Sequence, residues 1–300
     1  MKILITGSNG LLGQKLVYLL KTKSNIECIA TARGENRVND KDGYIFETLD
    51  LTNRENVISI ISKHRPDCII HTAAMTNVDE CELNPEQCHL NNIKATSYIV
   101  EACKNYNPHL IYISTDFVFD GEAGPYTEED IPNPLSIYAK SKLEAEKIIS
   151  ESGHPFSILR TMIVYGITDD VQRSNIILWT KNSLEQGKDI RVINDQFRGP
   201  TLAEDLAIAC YEAATRRATG IYHVSGREVI TIIDIAYKVA DYFGLDKKYI
   251  HPVSTAELNQ PAKRPLKTGF IISKAERDLD YHPRSIDEGI RIVNEQMNAK

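Results

Sequence analysis

The sequence predicts an α/β protein built on a doubly wound parallel sheet, with a smaller C-terminal lobe. Short, continuously apolar runs alternate with helix-length amphipathic stretches along the first half of the chain. A strand covered on both faces reads as such an unbroken run, whereas a half-exposed strand alternates. The first run ends in a turn with glycines at 7, 10 and 13, where a helix must begin. The last third is richer in proline and less regular, with no clean linker before it, as expected of a lobe interleaved with the end of a sheet.

Taken in order, the strands are "KILIT" (2–6), "IECIATA" (26–32), a third run ending at "TLDLT" (48–52), "CIIHTAA" (68–74), "LIYIST" (110–115), "FSILRTMIVYG" (156–166) and "GIYHVSG" (220–226). Between them lie the helical stretches "LLGQKLVYLLK", "NRENVISIISKHRP" and "SYIVEACKNY", and the helix that carries "YAKSK" (138–142). The expected division is a dinucleotide-binding unit over residues 1–165, with 201–226 returning to it, and a substrate lobe over 166–200 and 227–300. At 300 residues a sizeable core is available. A net charge of −6 without a basic block argues against nucleic acid or an anionic membrane as partner. The opening apolar run is too short for a signal peptide or a span, so a cytoplasmic location is expected. Six scattered cysteines, with no C-x-x-C pair and no histidine cluster, read as buried reduced thiols and predict no metal site.

The chemistry gathers at the strand ends. In "GSNGLLG" the strand, turn and helix context suits a pyrophosphate: glycine permits the tight turn, and the helix N-terminus offers free N–H groups. Gly7, Ser8, Asn9, Gly10, Leu11, Leu12 and Gly13 are the candidate residues. After the second strand, "TARGENR" offers Arg33, with Arg37 nearby, to a 2′-phosphate, which favours NADPH; Glu35 swinging in would allow NADH. Asp50, beside Leu51, stands either to reach an adenine or to cap the helix after Thr52. Small side chains at Ala73 and Ala74, followed by Thr76, let a flat cofactor lie against the backbone. Ser114, Thr115 and Asp116 end the fifth strand, to hold a substrate carbonyl or to close an ST-turn. Tyr138 and Lys142, four apart, share a helix face, while Lys140 points elsewhere.

This combination resembles the extended short-chain dehydrogenase/reductase family over essentially the whole chain. Within it, "AAMTNVDECE", "STDFVFDG", "PYTEED", "YAKSKLEAE", "RTMIVYG", "DQFRGPT" and "KRP" are most like the dTDP-4-dehydrorhamnose reductase branch. The resemblance implies hydride transfer from NADPH to the C4 keto carbon of a nucleotide-linked deoxysugar, dTDP-4-dehydro-L-rhamnose. Tyr138 would be the proton donor, tuned by Lys142, which also holds the nicotinamide ribose. Thr115 would bond the sugar carbonyl, and Asn92, rather than Asn91, would support the lysine through water. Asp116, Ile163, Asp195, Gln196, Arg198 and Arg264 are the implied substrate contacts, against which Asp195 as a turn residue and Arg264 as a solvated loop charge stay open. A homodimer is compatible with this reading. The chain departs from the branch at Phe117 for a tyrosine, Ile163 for a tryptophan that lines the sugar pocket, and Ala139 for a glycine. Two other readings stay open: a related nucleotide-sugar reductase or epimerase, and a noncatalytic NADP-binding regulatory subunit of the methionine adenosyltransferase beta type. A dehydratase is disfavoured because Phe117, not an acid, follows Asp116.

Overall fold

A seven-stranded parallel sheet forms the centre of the computed structural model, which describes residues 1–170 and 175–299. Its strands are β1 (Lys2–Thr6), β2 (Glu27–Ala32), β3 (Ile45–Thr48), β4 (Cys68–His71), β5 (His109–Thr115), β6 (Phe156–Thr161) and the strand Gly220–His223. They lie in the order Gly220–His223, β6, β5, β4, β1, β2, β3. The chain reverses direction of travel between β1 and β4, and at such a switch point the diverging crossovers leave a crevice beyond the carboxyl ends of the strands.

Alternation along each strand builds two cores. Ile3 and Ile5 of β1 face one side with Leu16, Val17 and Leu20 of α1 (Leu11–Leu20), whereas Leu4 faces the other with Val57 and Ile61 of α2 (Arg54–His64). All of these side chains are fully buried. The helix Ala203–Arg216 packs beside α1, delivering the chain to the sheet strand Gly220–His223.

Two local readings change. The run "FSILRTMIVYG" is not one strand: β6 stops at Thr161, Ile163 takes a left-handed backbone (φ 38°), and Val164–Tyr165 pairs with Thr201–Leu202. An apolar run carries no signal of such a break. The helix predicted from residue 97 spans Ala95–Ala102 and continues directly from a π-helical turn, His89–Lys94.

The remaining elements build the lobe. Ile190–Ile193 pairs in parallel with Ile250–Val253, and Phe197–Arg198 pairs antiparallel with Ile230–Thr231. Helices Ile176–Glu185, Ile232–Phe243 and Ile286–Asn298 contribute Ile177, Ile235, Val239, Ile290 and Val293 to a separate core. Thr231 with Asp234, and Ser285 with Glu288, close reciprocal caps at the starts of two of these helices. Phe270, Ile272, Leu279 and Tyr281 pack into the sheet-side core, so the stretch expected to be lobe over 227–300 shares its interior with the sheet here. All six cysteines are buried and unpaired. Among the described residues no helix is long and apolar enough to cross a membrane, and no His, Cys, Asp or Glu cluster is arranged to hold a metal ion.

Candidate active site

The glycine turn is shaped by close approach. Gly7 has φ +76°, and a Cβ there would stand 2.9 Å from the Ala73 nitrogen; one on Gly13 would stand 2.2 Å from the Gly7 carbonyl oxygen. Only glycine lets β1, α1 and the end of β4 meet this tightly. Gly10 caps α1 without a side-chain hydrogen bond, so the first N–H groups of the helix stay available to an anion. Asn9 ties the turn to the loop after β2, donating to the Glu35 carbonyl (2.8 Å) and accepting from the Arg37 N–H (2.9 Å). Ser8 lies buried beneath the turn.

Gly7, Asn9, Gly10, Arg33, Asp50, Leu51, Ala73, Ala74 and Thr76 line one cleft, and Asn91 reaches its rim. Leu11, Leu12 and Gly13 line an adjoining hollow with Thr72, Ile113 and Val164. Arg33 is exposed on the rim, whereas Arg37 pairs with Asp170 at 3.3 Å. Burial alone would raise the Asp50 carboxyl, but hydrogen bonds from Thr52 and the Arg33 charge hold it below its ordinary value. The cap of α2 is Asn53, which accepts from the Asn56 N–H; Asp50 instead accepts from the Thr52 N–H (2.9 Å) and hydroxyl (2.7 Å).

Ser136 caps the helix Ile137–Ser150, which puts Tyr138 in its first turn and Lys142 one turn on, both buried. Burial pushes the Tyr138 phenol above its ordinary value, and the neighbouring Thr115 hydroxyl works against that rise. Lys142 donates to the Ile113 carbonyl at 2.7 Å and lies 4.1 Å from the Tyr112 ring centroid. Burial brings its ammonium down to about 7. Lys140 is exposed. Asn92, turned inward by the π-helical turn, accepts from the Met75 N–H (2.8 Å) and donates to the Ser141 hydroxyl (2.9 Å), which in turn donates to the Tyr138 carbonyl (2.7 Å). It braces the end of β4 against the Tyr138 helix. The Phe117 ring meets Tyr138 edge-on at 6.1 Å.

The residues on the lobe side are engaged with one another. Asp116 takes the Thr268 hydroxyl and an ion pair from Arg198 (3.2 Å), and burial raises its carboxyl. Arg198 also donates to the carbonyls of Pro265 (2.6 Å), Leu266 (3.0 Å) and Phe197 (2.8 Å). Gln196 bonds Thr255, and Asp195 accepts from the Thr255 N–H and hydroxyl, fixing the start of a short helix. Arg264 forks onto Asp79 with bonds of 3.0 and 2.7 Å. Asp79 had no role in the sequence reading; its place in "NVDECE" gave no sign of a partner 185 residues away. Ile163 is half-buried just beyond β6. Glu146 and Arg160, a buried pair behind Lys142, were also missed, since a carboxylate one turn past a lysine reads as a surface pair.

A glycine turn at the switch point, followed by a Tyr-x-x-x-Lys helix against the fifth strand, defines the class of extended short-chain dehydrogenases/reductases. The RmlD substrate binding domain model matches residues 1–298, and the chain belongs to that family. It is 31% identical to a dTDP-4-dehydrorhamnose reductase of Aggregatibacter actinomycetemcomitans, covering 97% of this chain and 98% of that one. It is 32% identical to the methionine adenosyltransferase 2 subunit beta of Rattus norvegicus, covering 92% of this chain and 81% of that one. Among solved structures, a dTDP-4-dehydrorhamnose reductase from Bacillus anthracis in complex with NADP superposes with a TM-score of 0.84 at 27% identity, covering 98% and 99% of the two chains.

Proposed function

We propose that this chain is an NADPH-dependent oxidoreductase that reduces the C4 keto group of dTDP-4-dehydro-L-rhamnose to give dTDP-L-rhamnose. The observation that carries this reading is Tyr138, buried next to Thr115, on a helix whose next turn presents the equally buried Lys142, beside the glycine cleft. A nucleotide cofactor fits the residues present: the turn leaves no room for a Cβ at Gly7, and Arg33 stands exposed at the rim where a 2′-phosphate would need a cation. NADH would fit the same turn without using Arg33. When bound, NADPH supplies the hydride that adds to the C4 carbon.

The chain's own residues do the rest. Thr115 and Tyr138 orient the keto oxygen by hydrogen bonds, and Tyr138 gives its phenolic proton to that oxygen as the C–H bond forms, leaving a phenolate to be reprotonated from solvent. A phenol held above its ordinary value keeps its proton until the developing alkoxide, a far stronger base, claims it. Lys142 places positive charge near the phenolate and, by resemblance, holds the nicotinamide ribose. Asn92 positions this helix from the end of β4. Asp195, Gln196, Arg198 and Arg264 approach the nucleotide in this reading, with Asp116 and Ile163 nearer the sugar; the polar groups among them must rearrange or act through backbone, because their side chains are engaged.

The equally similar methionine adenosyltransferase subunits support a second reading, a noncatalytic NADP-binding regulator. Turnover separates the two. Purified protein given NADPH and a panel of nucleotide 4-keto sugars should consume NADPH in step with alcohol product, fastest with the rhamnose precursor. NADPH binding without consumption on any sugar would turn the assignment to the regulator.

A further inference from the structure

One turn beyond Lys142, the same helix carries a second buried ionisable side chain. Glu146 is 3% exposed, and residues four apart share a helix face. Its Oε1 accepts from Arg160 Nε (3.0 Å) and from the Ser114 hydroxyl, while Oε2 accepts from Arg160 Nη2 (2.7 Å). Arg160, 2% exposed, lies on β6 directly opposite Ser114 of β5 and sits 5.2 Å from the Phe119 ring centroid. Its Nη1 has no hydrogen-bond partner among the described residues. A buried ion pair loses more hydration than its attraction repays unless the geometry is excellent, so stability is a weak explanation for it. Its location supplies a better one. Two successive residues of β5 are tied to two successive turns of one helix, Ile113 to Lys142 and Ser114 to Glu146, with Thr115 next to Tyr138 one turn earlier.

We propose that Glu146 is a positioning residue for the reduction, setting the helix against the end of β5 through Ser114 and, as an anion one turn from Lys142, keeping that lysine an ammonium. The proposal rests on the reading of Tyr138 and Lys142 given above. The groups facing Lys142 are few. Its own helix supplies Tyr138 and Glu146, β5 supplies the neutral Tyr112, and β4 supplies His71, which burial holds neutral down to about 3. Cys81 and Cys88 approach from the segment after β4, and Arg160 stands behind Glu146 on β6. Hydrogen bonds to Cys81 and Ser141, with the Lys142 charge, hold the Cys88 thiol below its ordinary value, so it too can place negative charge near Lys142. Glu146 is the only carboxylate among these groups. Without it, the burial that already depresses Lys142 would meet less opposition, and the lysine would lose its proton at lower pH.

The test is NADPH affinity and kcat/KM measured against pH, from about 5 to about 10, for the wild type, Glu146→Gln and Ser114→Ala. Wild-type affinity should weaken as Lys142 loses its proton, and Glu146→Gln should weaken about one pH unit earlier, the scale of losing a neighbouring opposite charge. Ser114→Ala keeps the charge, so it should lower kcat several-fold with the pH midpoint unmoved. A Glu146→Gln protein that melts earlier yet superimposes on the wild-type pH profile would overturn the proposal and leave Glu146 a purely structural group. Should Glu146→Gln fail to fold, Glu146→Gln with Arg160→Met removes both charges together; a displacement in the same direction is expected, and none would overturn the proposal. Binding is read without turnover, so a chain that binds NADPH but reduces no sugar sinks the reductase assignment without touching this result.

Discussion

The two sides of the cleft treat their polar groups differently. On the cofactor side, Arg33 lies exposed on the rim, the first N–H groups of α1 lack a side-chain cap, and Asp50 borders the same opening. On the lobe side, Arg198 is 1% exposed and reaches Asp116 and three carbonyls, while Arg264 is clasped by Asp79. An anion arriving on the first side finds donors already arranged; one arriving on the second must compete with a carboxylate for each arginine. Preorganised donors bind without reorganisation, whereas engaged ones bind only by exchange. In the proposed reading the cofactor side therefore carries affinity, and the lobe side carries shape and whatever selectivity the exchange imposes.

Substitutions can break or sharpen that contrast. Tyr138→Phe removes only a proton donor, so kcat should fall by about 10² to 10⁴ while NADPH affinity stays within a few-fold. More than about a tenth of wild-type kcat would remove Tyr138 from the donor role. Arg198→Met should strike stability rather than affinity: leaving Asp116 buried without its cation costs about 3–5 kcal/mol, readable in urea unfolding. If the variant unfolds like the wild type but has lost affinity for nucleotide sugar, Arg198 is a binding residue and the contrast fails. Arg33→Ala removes a charge-assisted contact of about 1.5–3 kcal/mol, which should raise KM for NADPH tenfold or more and spare NADH. Equal loss for both cofactors would reduce Arg33 to loop support. The smallest change is expected from Ile163→Trp with Phe117→Tyr. An aromatic contact adds about 0.5–1.5 kcal/mol, so KM for the rhamnose precursor should fall by about two- to tenfold. No turnover of that sugar by either protein would detach the substrate from the fold.

The sheet and the glycine turn were legible because both depend on local sequence: apolar runs of strand length, and glycines spaced where no side chain fits. The placing of Tyr138 and Lys142 one turn apart on one buried helix face was legible for the same reason, since a helical turn puts residues four apart on one face. Asp79 with Arg264 and Arg198 with Asp116 were not, because each joins segments far apart in the chain and nothing local distinguishes a paired arginine from a free one. The break at Ile163 was hidden for a different reason. A β-branched residue in an apolar run signals strand, and the structure overrides that preference at a single peptide.

That peptide has a consequence for how this protein can change. Holding a β-branched residue at φ 38° costs about 1–3 kcal/mol, and glycine would recover most of it. The Ile163 carbonyl accepts the Thr201 N–H at 3.1 Å, anchoring the point where the chain leaves the sheet and returns to it. The cheapest route to a hardier protein therefore passes through the residue at which the chain leaves β6, the one proposed to border the sugar, and the replacements that relax the backbone most are those that remove the side chain. If Ile163 borders the sugar as proposed, directed evolution for heat resistance and directed evolution for a new sugar would meet at this one codon and pull it in opposite directions.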